Sequence, residues 1–444
     1  MYPCLFMGCD RMPEQMYSDG QARVVNLKYG SISFPLVTSA DRLAGVIEPD
    51  IAQSSQSPEQ ITALALDDCQ PTISTFSAGE KVVIVTSDIT RYTGSEIYLP
   101  MLVERLNLQG IPDRDIEILI ALGIHRKQTD HEHQKILGPL HGRVRVIDHD
   151  CDNPAELVVL GKTSNGIEVS ANRRAVEADR LILTGVIGFH YFAGFGGGRK
   201  SLLPGIAGRQ ACMASHFALL NPQAGSGKNP LATTGNLEGN PVHQAMLEAC
   251  AMAEPAFILN TVLSLDKRII AAFAGHWRTA HEEGCRFYRE RFSFPLQNKA
   301  DLVIVSCGGF PKDINLIQAH KSMEYASQAL KDGGVMILLA ECRDGFGNDT
   351  FFDWFRFKQL DDFETALRAN YEINGQTAYS TLMKAQRFKI ILVSRFSEHQ
   401  VKEMGMIPEQ SLDAALATAE GLLPADWKML VMPEGGSVLP VLES

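Results

Sequence analysis

The stretch 188–216, GFHYFAGFGGGRKSLLPGIAGRQACMASH, carries the densest chemistry in this 444-residue chain. Gly194, Gly196, Gly197 and Gly198 let a backbone approach a ligand closely and take positive φ. Arg199 and Lys200 add positive charge, and Ser201 stands where a helix could open. Successive backbone N–H groups at such a turn bind phosphate; the competing reading is a solvated loop bearing two charges. The spacing is not that of a Walker loop, which needs GxxxxGK[ST]. More polar residues follow apolar runs of strand length: Asp88, Thr90 and Arg91 after KVVIVTS, His125 after IEILIALG, and His190 after RLILTGVIG. A guanidinium fork suits a carboxylate because it offers two parallel hydrogen bonds, although a surface ion pair is the commoner fate of an arginine. Histidine titrates near working pH and serves as acid or base; an isolated one such as His216 is by default a capping or buried structural residue. Gln318 and Lys321 are three apart and share a helical face.

Taken together these segments resemble the signature of the lactate-racemase family. The matching segments are HYFAGFGGGRKSLLPGIAG with His216 downstream, SDITRY (87–92), ALGIHR (121–126) and GGFPKDINLIQAHK (308–321), with weaker likeness at YGSISFPL (29–36), GNLEGNPVHQAMLEA (235–249) and PEGGSVLP (433–440). The resemblance spans about 25–441 and implies a racemase or epimerase acting at C2 of a 2-hydroxy acid. It implies a nickel-pincer nucleotide, a pyridinium mononucleotide whose sulfur-bearing arms grip nickel, covalently attached at Lys200 as a thioamide, with His216 completing the metal's coordination. Two sulfurs, one carbon and one imidazole nitrogen suit square-planar nickel. On the same resemblance Asp88, Thr90, Gly197, Gly198, Arg199 and Ser201 contact the cofactor, and Arg91 grips the substrate carboxylate. Gln318 and Lys321 lie near substrate, and His125 and His190 are paired acid/base groups on opposite faces of a flat 2-keto acid. Ile317 stands where the lactate pattern has tyrosine, which leaves the acid's identity open because such a change alters pocket preference by a few kcal/mol. Racemase against epimerase stays open too.

These residues need a scaffold that gathers strand ends. Strand-length apolar runs alternate with amphipathic helical stretches: strands at 81–88, 116–123, 144–150 and 180–188, a strand pair at 257–265 and 268–275, and a helix from Ser95 to about Asn107. This predicts an α/β protein of two domains, each a mostly parallel sheet flanked by helices, with the active site in the cleft between them. In such sheets ligands sit beyond the carboxyl ends of the strands. The expected division is a loose N-terminal extension over 1–24, a cofactor-binding domain over 25–295, and a second α/β domain over 296–419. The tail 420–444, read as strand, turn, strand, is expected to rejoin the first. In the second domain strands fall at 301–309, 334–342 and 389–395, with a helix from about Asn315 to Lys331. His131 and His133 read as solvent-facing, Asp313, Asn315 and His320 as capping or surface residues, and Trp354 as a candidate border of the site.

Apolar residues make up 45% and charged residues 21%, as in ordinary globular chains. A formal charge of −11 argues against nucleic-acid binding. No apolar run is long enough for a membrane span, and MYPCLFMGCDRMPEQ lacks the pattern of a signal peptide. Nine scattered cysteines without a CxxC pair suggest reduced thiols in a cytoplasmic protein. The expected partners are the small acid and cofactor-biosynthesis proteins; the oligomeric state is not readable. Two other functions compete. A nucleotide-dependent 2-hydroxy acid dehydrogenase would show GxGxxG after its first strand, where SDITRY stands instead. A non-catalytic carrier of the cofactor would not need both His125 and His190.

Overall fold

The computed structural model describes residues 23–49, 55–372 and 374–443. Most of the expected N-terminal extension lies outside those residues.

The continuous apolar runs fold as strands buried on both faces, as parallel strands must be. The strand Val82–Ser87 is buried over its first five residues. It lies in a six-stranded sheet ordered Ile269–Gly275, Phe257–Leu263, Arg180–Val186, Val82–Ser87, Ile116–Ala121, Arg145–Asp148. All neighbours are parallel except the edge pair Phe257–Leu263 and Ile269–Gly275. The order matters for chemistry: the strands ending before His190, Asp88 and His125 lie side by side.

The second six-stranded sheet is ordered Ile407–Glu409, Lys389–Val393, Leu330–Leu339, Ala300–Ser306, Met429–Met432, Leu43–Val46, all parallel. Two expectations are corrected here. The tail strand Met429–Met432 joins this sheet rather than the first, and the N-terminal Leu43–Val46 follows it to the outer edge. The hairpin Arg23–Tyr29 with Ile32–Thr38 packs the same way, with Val25, Leu27 and Leu36 in one apolar cluster with Leu302, Ile304 and Val431. Leu43–Val46 and Met429–Met432 thus complete the second sheet, while the last strand of the tail, Leu439–Leu442, pairs in parallel with Ser293–Leu296 at the end of the expected first domain. The helix after Ala300–Ser306 is shorter than expected. It covers Leu316–Ala326, capped by the Asn315 side chain, and the next strand begins at Leu330 by pairing with Ala300.

The two units share a core. One continuous cluster includes Leu119, Leu183 and Ile258 from the first and Val303, Leu338 and Leu392 from the second. Among the described residues no helix is long and apolar enough to cross a membrane, and the seven described cysteines are free and buried.

Candidate active site

Lys200 sits in a short helix, Arg199–Leu202, directly after the glycine-rich turn. Its Nζ lies 2.9 Å from His190 Nε2 and 5.6 Å from the Phe192 ring. Burial pushes its ammonium down to about 7, with the positive charges of Arg199 and Arg91 adding to the effect. The backbone N–H of Ala193 donates to His190 Nδ1, so with Lys200 in its neutral form the ring proton sits on Nε2 and is donated to the amine. Burial, the charge of Lys200, and then His216, Lys321 and Arg91 hold His190 well below its ordinary value.

His216 stands in the last turn of the helix Arg209–Phe217. Its Nδ1–H donates to the Cys212 carbonyl at 2.8 Å, which leaves the Nε2 lone pair free. Burial and Lys200 push the ring down to about 4, so it is neutral at pH 7. The Phe192 ring lies 4.5 Å from His190 and 5.5 Å from His216 and is itself buried. It forms an apolar floor under all three groups, one that the sequence reading missed although it lies in the same segment.

His125 donates its Nδ1–H to Asp88 Oδ2 at 2.6 Å, and its side chain is 43% exposed. Asp88 is buried and also accepts from the Thr90 hydroxyl at 2.8 Å. Burial alone would raise the Asp88 carboxyl; the bond and charge of His125, with Thr90 and Arg91, outweigh it and hold the carboxyl below its usual value. This pairing fixes the His125 ring with Nε2 outward, as in a catalytic dyad. Arg91 is exposed and lines, with Asp88, Tyr92, Glu96 and Lys135, a cavity of about 250 Å³. Lys321 keeps an exposed surface, yet the surrounding protein and then the charge of Arg91 push it down to about 8. Gln318 sits one turn earlier, its backbone N–H capped by Asn315. His216 also feels His125 and Arg91, so the strand ends and both helices converge on one region.

Several expected residues turn elsewhere. The Arg199 guanidinium is fully buried, donates to the carbonyls of Ala193 and Phe195, and lies 3.1 Å from His281 Nε2. It staples the glycine turn instead of facing a ligand. The Ser201 hydroxyl donates to the Thr184 carbonyl. Gly197 has φ +107°, and a Cβ there would stand 2.7 Å from His281. The Gly198 N–H donates to Asn260 Oδ1 at 2.7 Å. These glycines are required at least in part because the turn packs tightly over the sheet. Trp354 is buried against Phe363 at 5.3 Å in the second unit's core, so it does not border the site. His133 is not solvent-facing, since its Nε2 lies 2.8 Å from Asp148 Oδ1. His320 is likewise buried, and Asp313 accepts from the Gly30 N–H at 2.6 Å.

The fold and site describe a two-unit α/β enzyme with a near-neutral lysine and several neutral histidines around a cleft. The lactate racemase N-terminal domain family matches residues 29–227, and the lactate racemase C-terminal domain family matches 296–440. A lactate racemase of Thermoanaerobacterium thermosaccharolyticum is 35% identical over 94% of this chain and 98% of its own. One of Lactiplantibacillus plantarum is 35% identical over 81% of this chain and 84% of its own. The structure of the T. thermosaccharolyticum lactate racemase apoprotein superposes with a TM-score of 0.85 at 35% identity, covering 95% of this chain and all of that one. A Thermotoga maritima protein, 19% identical with a TM-score of 0.61, shares the fold alone. The chain belongs to the lactate racemase family. It is an isomerase of the racemase class.

Proposed function

We propose that this chain inverts C2 of a 2-hydroxy acid using a nickel-pincer nucleotide carried on Lys200, with His125 and His190 as alternating acid and base. The observation that carries this reading is the near-neutral Lys200 amine bonded to His190 on the same Phe192 ring that faces His216.

The residues fit such a group. A neutral amine is the nucleophilic form of lysine, and desolvation beside other cations is a known way to obtain it. His216 presents a free Nε2 on a ring oriented by its backbone bond, the usual arrangement of a metal-ligating histidine. The one protein ligand in this reading is the His216 imidazole; among the described residues no three His, Cys, Asp or Glu side chains gather to hold a metal ion. Bound there, the cofactor would supply a reversible hydride acceptor.

The chain's residues do the rest. Arg91 and Lys321 bind the carboxylate and set the plane of C2. For one enantiomer, His125 Nε2, oriented by Asp88, takes the hydroxyl proton as the 2-keto acid forms. For the other, His190 does so from the opposite face in the tautomer that carries its proton on Nδ1, which frees the Nε2 lone pair once Lys200 is acylated and the 3.3 Å contact from the Ala193 N–H is given up. Return of hydride to the other face of the carbonyl would invert the centre; the histidine on that face supplies its own proton to the new hydroxyl, the first keeps the one it took, and exchange with water restores the pair.

The test is production with the cofactor-making enzymes, followed by chiral analysis of lactate and of longer and bulkier 2-hydroxy acids. Intact mass should show an adduct lost in Lys200→Ala. His125→Ala and His190→Ala should keep the adduct and lose turnover. Wild-type rates in either histidine variant refute the acid/base assignment. An adduct with no inversion of any acid supports a carrier instead.

A further inference from the structure

We infer that Tyr191 is a positioning residue for His190, holding the imidazole by its face while its own hydroxyl is anchored on the second unit. This rests on the reading of His190 as an acid/base group. The rings of His190 and Tyr191 are stacked, 5.6 Å between centroids and 14° from parallel. Adjacent residues in an extended strand point to opposite faces, so this stack needs the chain to turn after Phe189–His190 and something to hold the phenol back against the imidazole. The second unit does this at two points. The Tyr191 hydroxyl lies 2.9 Å from the Thr377 hydroxyl, on the helix Gly375–Arg387. The Tyr325 hydroxyl, on the helix Leu316–Ala326, donates to the Phe189 carbonyl at 3.2 Å. His190 is therefore flanked on both sides in sequence by residues tied to the opposite unit.

The wall behind the phenol is rigid. The far side of Tyr191 meets the edge of the His320 ring at 5.1 Å. His320 is buried next to Glu324, and the Glu324 carboxylate is clamped between Lys384 and Lys228, the latter from the first unit. A buried ion cluster of this kind resists rearrangement because parting any pair leaves an uncompensated charge. The chain of contacts runs from that cluster through His320 and Tyr191 to the face of His190. An acid/base group displaced by about 1 Å loses on the order of 100-fold in rate, so this stack sets turnover without touching substrate.

The experiment uses the full chain in two states. In the apoprotein with isotopically labelled histidine, the His190 ring signals are assigned by their loss in His190→Gln. Tyr191→Leu should shift and broaden those signals, whereas Tyr191→Phe and Thr377→Val, which each remove only the hydroxyl anchor, should leave them in place with slight broadening. In the cofactor-loaded protein with lactate, or the acid found active, Tyr191→Leu should lower kcat roughly 10- to 100-fold with KM within about threefold. Tyr191→Phe should restore kcat to within about fivefold of wild type. Unmoved His190 signals with wild-type kcat in Tyr191→Leu overturn the inference, and so does a Phe variant as damaged as the Leu variant. A fully active His190→Ala overturns the acid/base reading instead, while the apoprotein signals still decide what Tyr191 does.

Discussion

Replacing Lys200 with methionine should disable the protein chemically and stabilise it physically. The Lys200 ammonium falls from an ordinary 10.5 to about 7, through burial first and then Arg199 and Arg91. For a wholly desolvated group that drop corresponds to about 5 kcal/mol; Lys200 keeps part of its surface open, which reduces the figure to about 2–3 kcal/mol. Loss of the bond to His190 costs about 1 kcal/mol in return. The net gain for Lys200→Met in the apoprotein is therefore about 1–2 kcal/mol near pH 6.5. The sign follows from linkage. Between about pH 7 and 10.5 the unfolded chain holds a proton that the folded one has released, so this group's cost is full below 7 and fades as pH rises to 10.5. Urea unfolding of both apoproteins at pH 6.5 and 9.5 reads the difference, which should shrink at the higher pH. Acylation of wild-type apoprotein with a small amine reagent, mapped by peptide mass spectrometry from pH 5 to 11, should half-label Lys200 near pH 7 and surface lysines near 10.5. A Lys200 that labels with the surface lysines, or a methionine variant less stable at pH 6.5, refutes the argument.

Asp88→Asn should leave the fold intact and lower kcat by about 100-fold or more, because the amide no longer fixes the tautomer of His125; chiral turnover assays measure it. Acid should destabilise the apoprotein from about pH 6.5 downward. His281 and His320 are buried and held at about 3, so the unfolded chain binds their protons first, at up to about 1.4 kcal/mol per pH unit for each group; urea midpoints at pH 7, 6 and 5 show the slope, and His320→Leu should flatten it. Gly197→Ala should cost about 2 kcal/mol or more in unfolding experiments, since the new Cβ meets His281 at a positive φ.

The chain's local patterns determined the element types and the chemistry of the groups. Apolar runs such as VVIVTS and IEILIA can bury both faces only as central strands, and polar residues placed after them land at strand ends wherever the strands sit. His125, His190 and Arg91 stood out as polar residues for that reason, whereas the roles expected of Lys200 and His216 came from the resemblance of their segment to a family signature. The tertiary structure alone decided what each polar atom bonds. Asp88 meets His125 from a neighbouring strand 37 positions away, and Arg199 turns inward to His281, 82 positions on; no local spacing encodes such meetings. The chain ends show the same division. The tail read as a strand and Leu43–Val46 drew no reading at all, and which sheet both complete depended on which edge stood uncovered. Tyr191 lay in plain view beside His190, but its role depends on Thr377 and His320 arriving from a second unit folded around the first. Burial and hydrogen bonding are settled by contacts between segments distant in sequence, so the residue types were written in the chain and their partners only in the packed molecule.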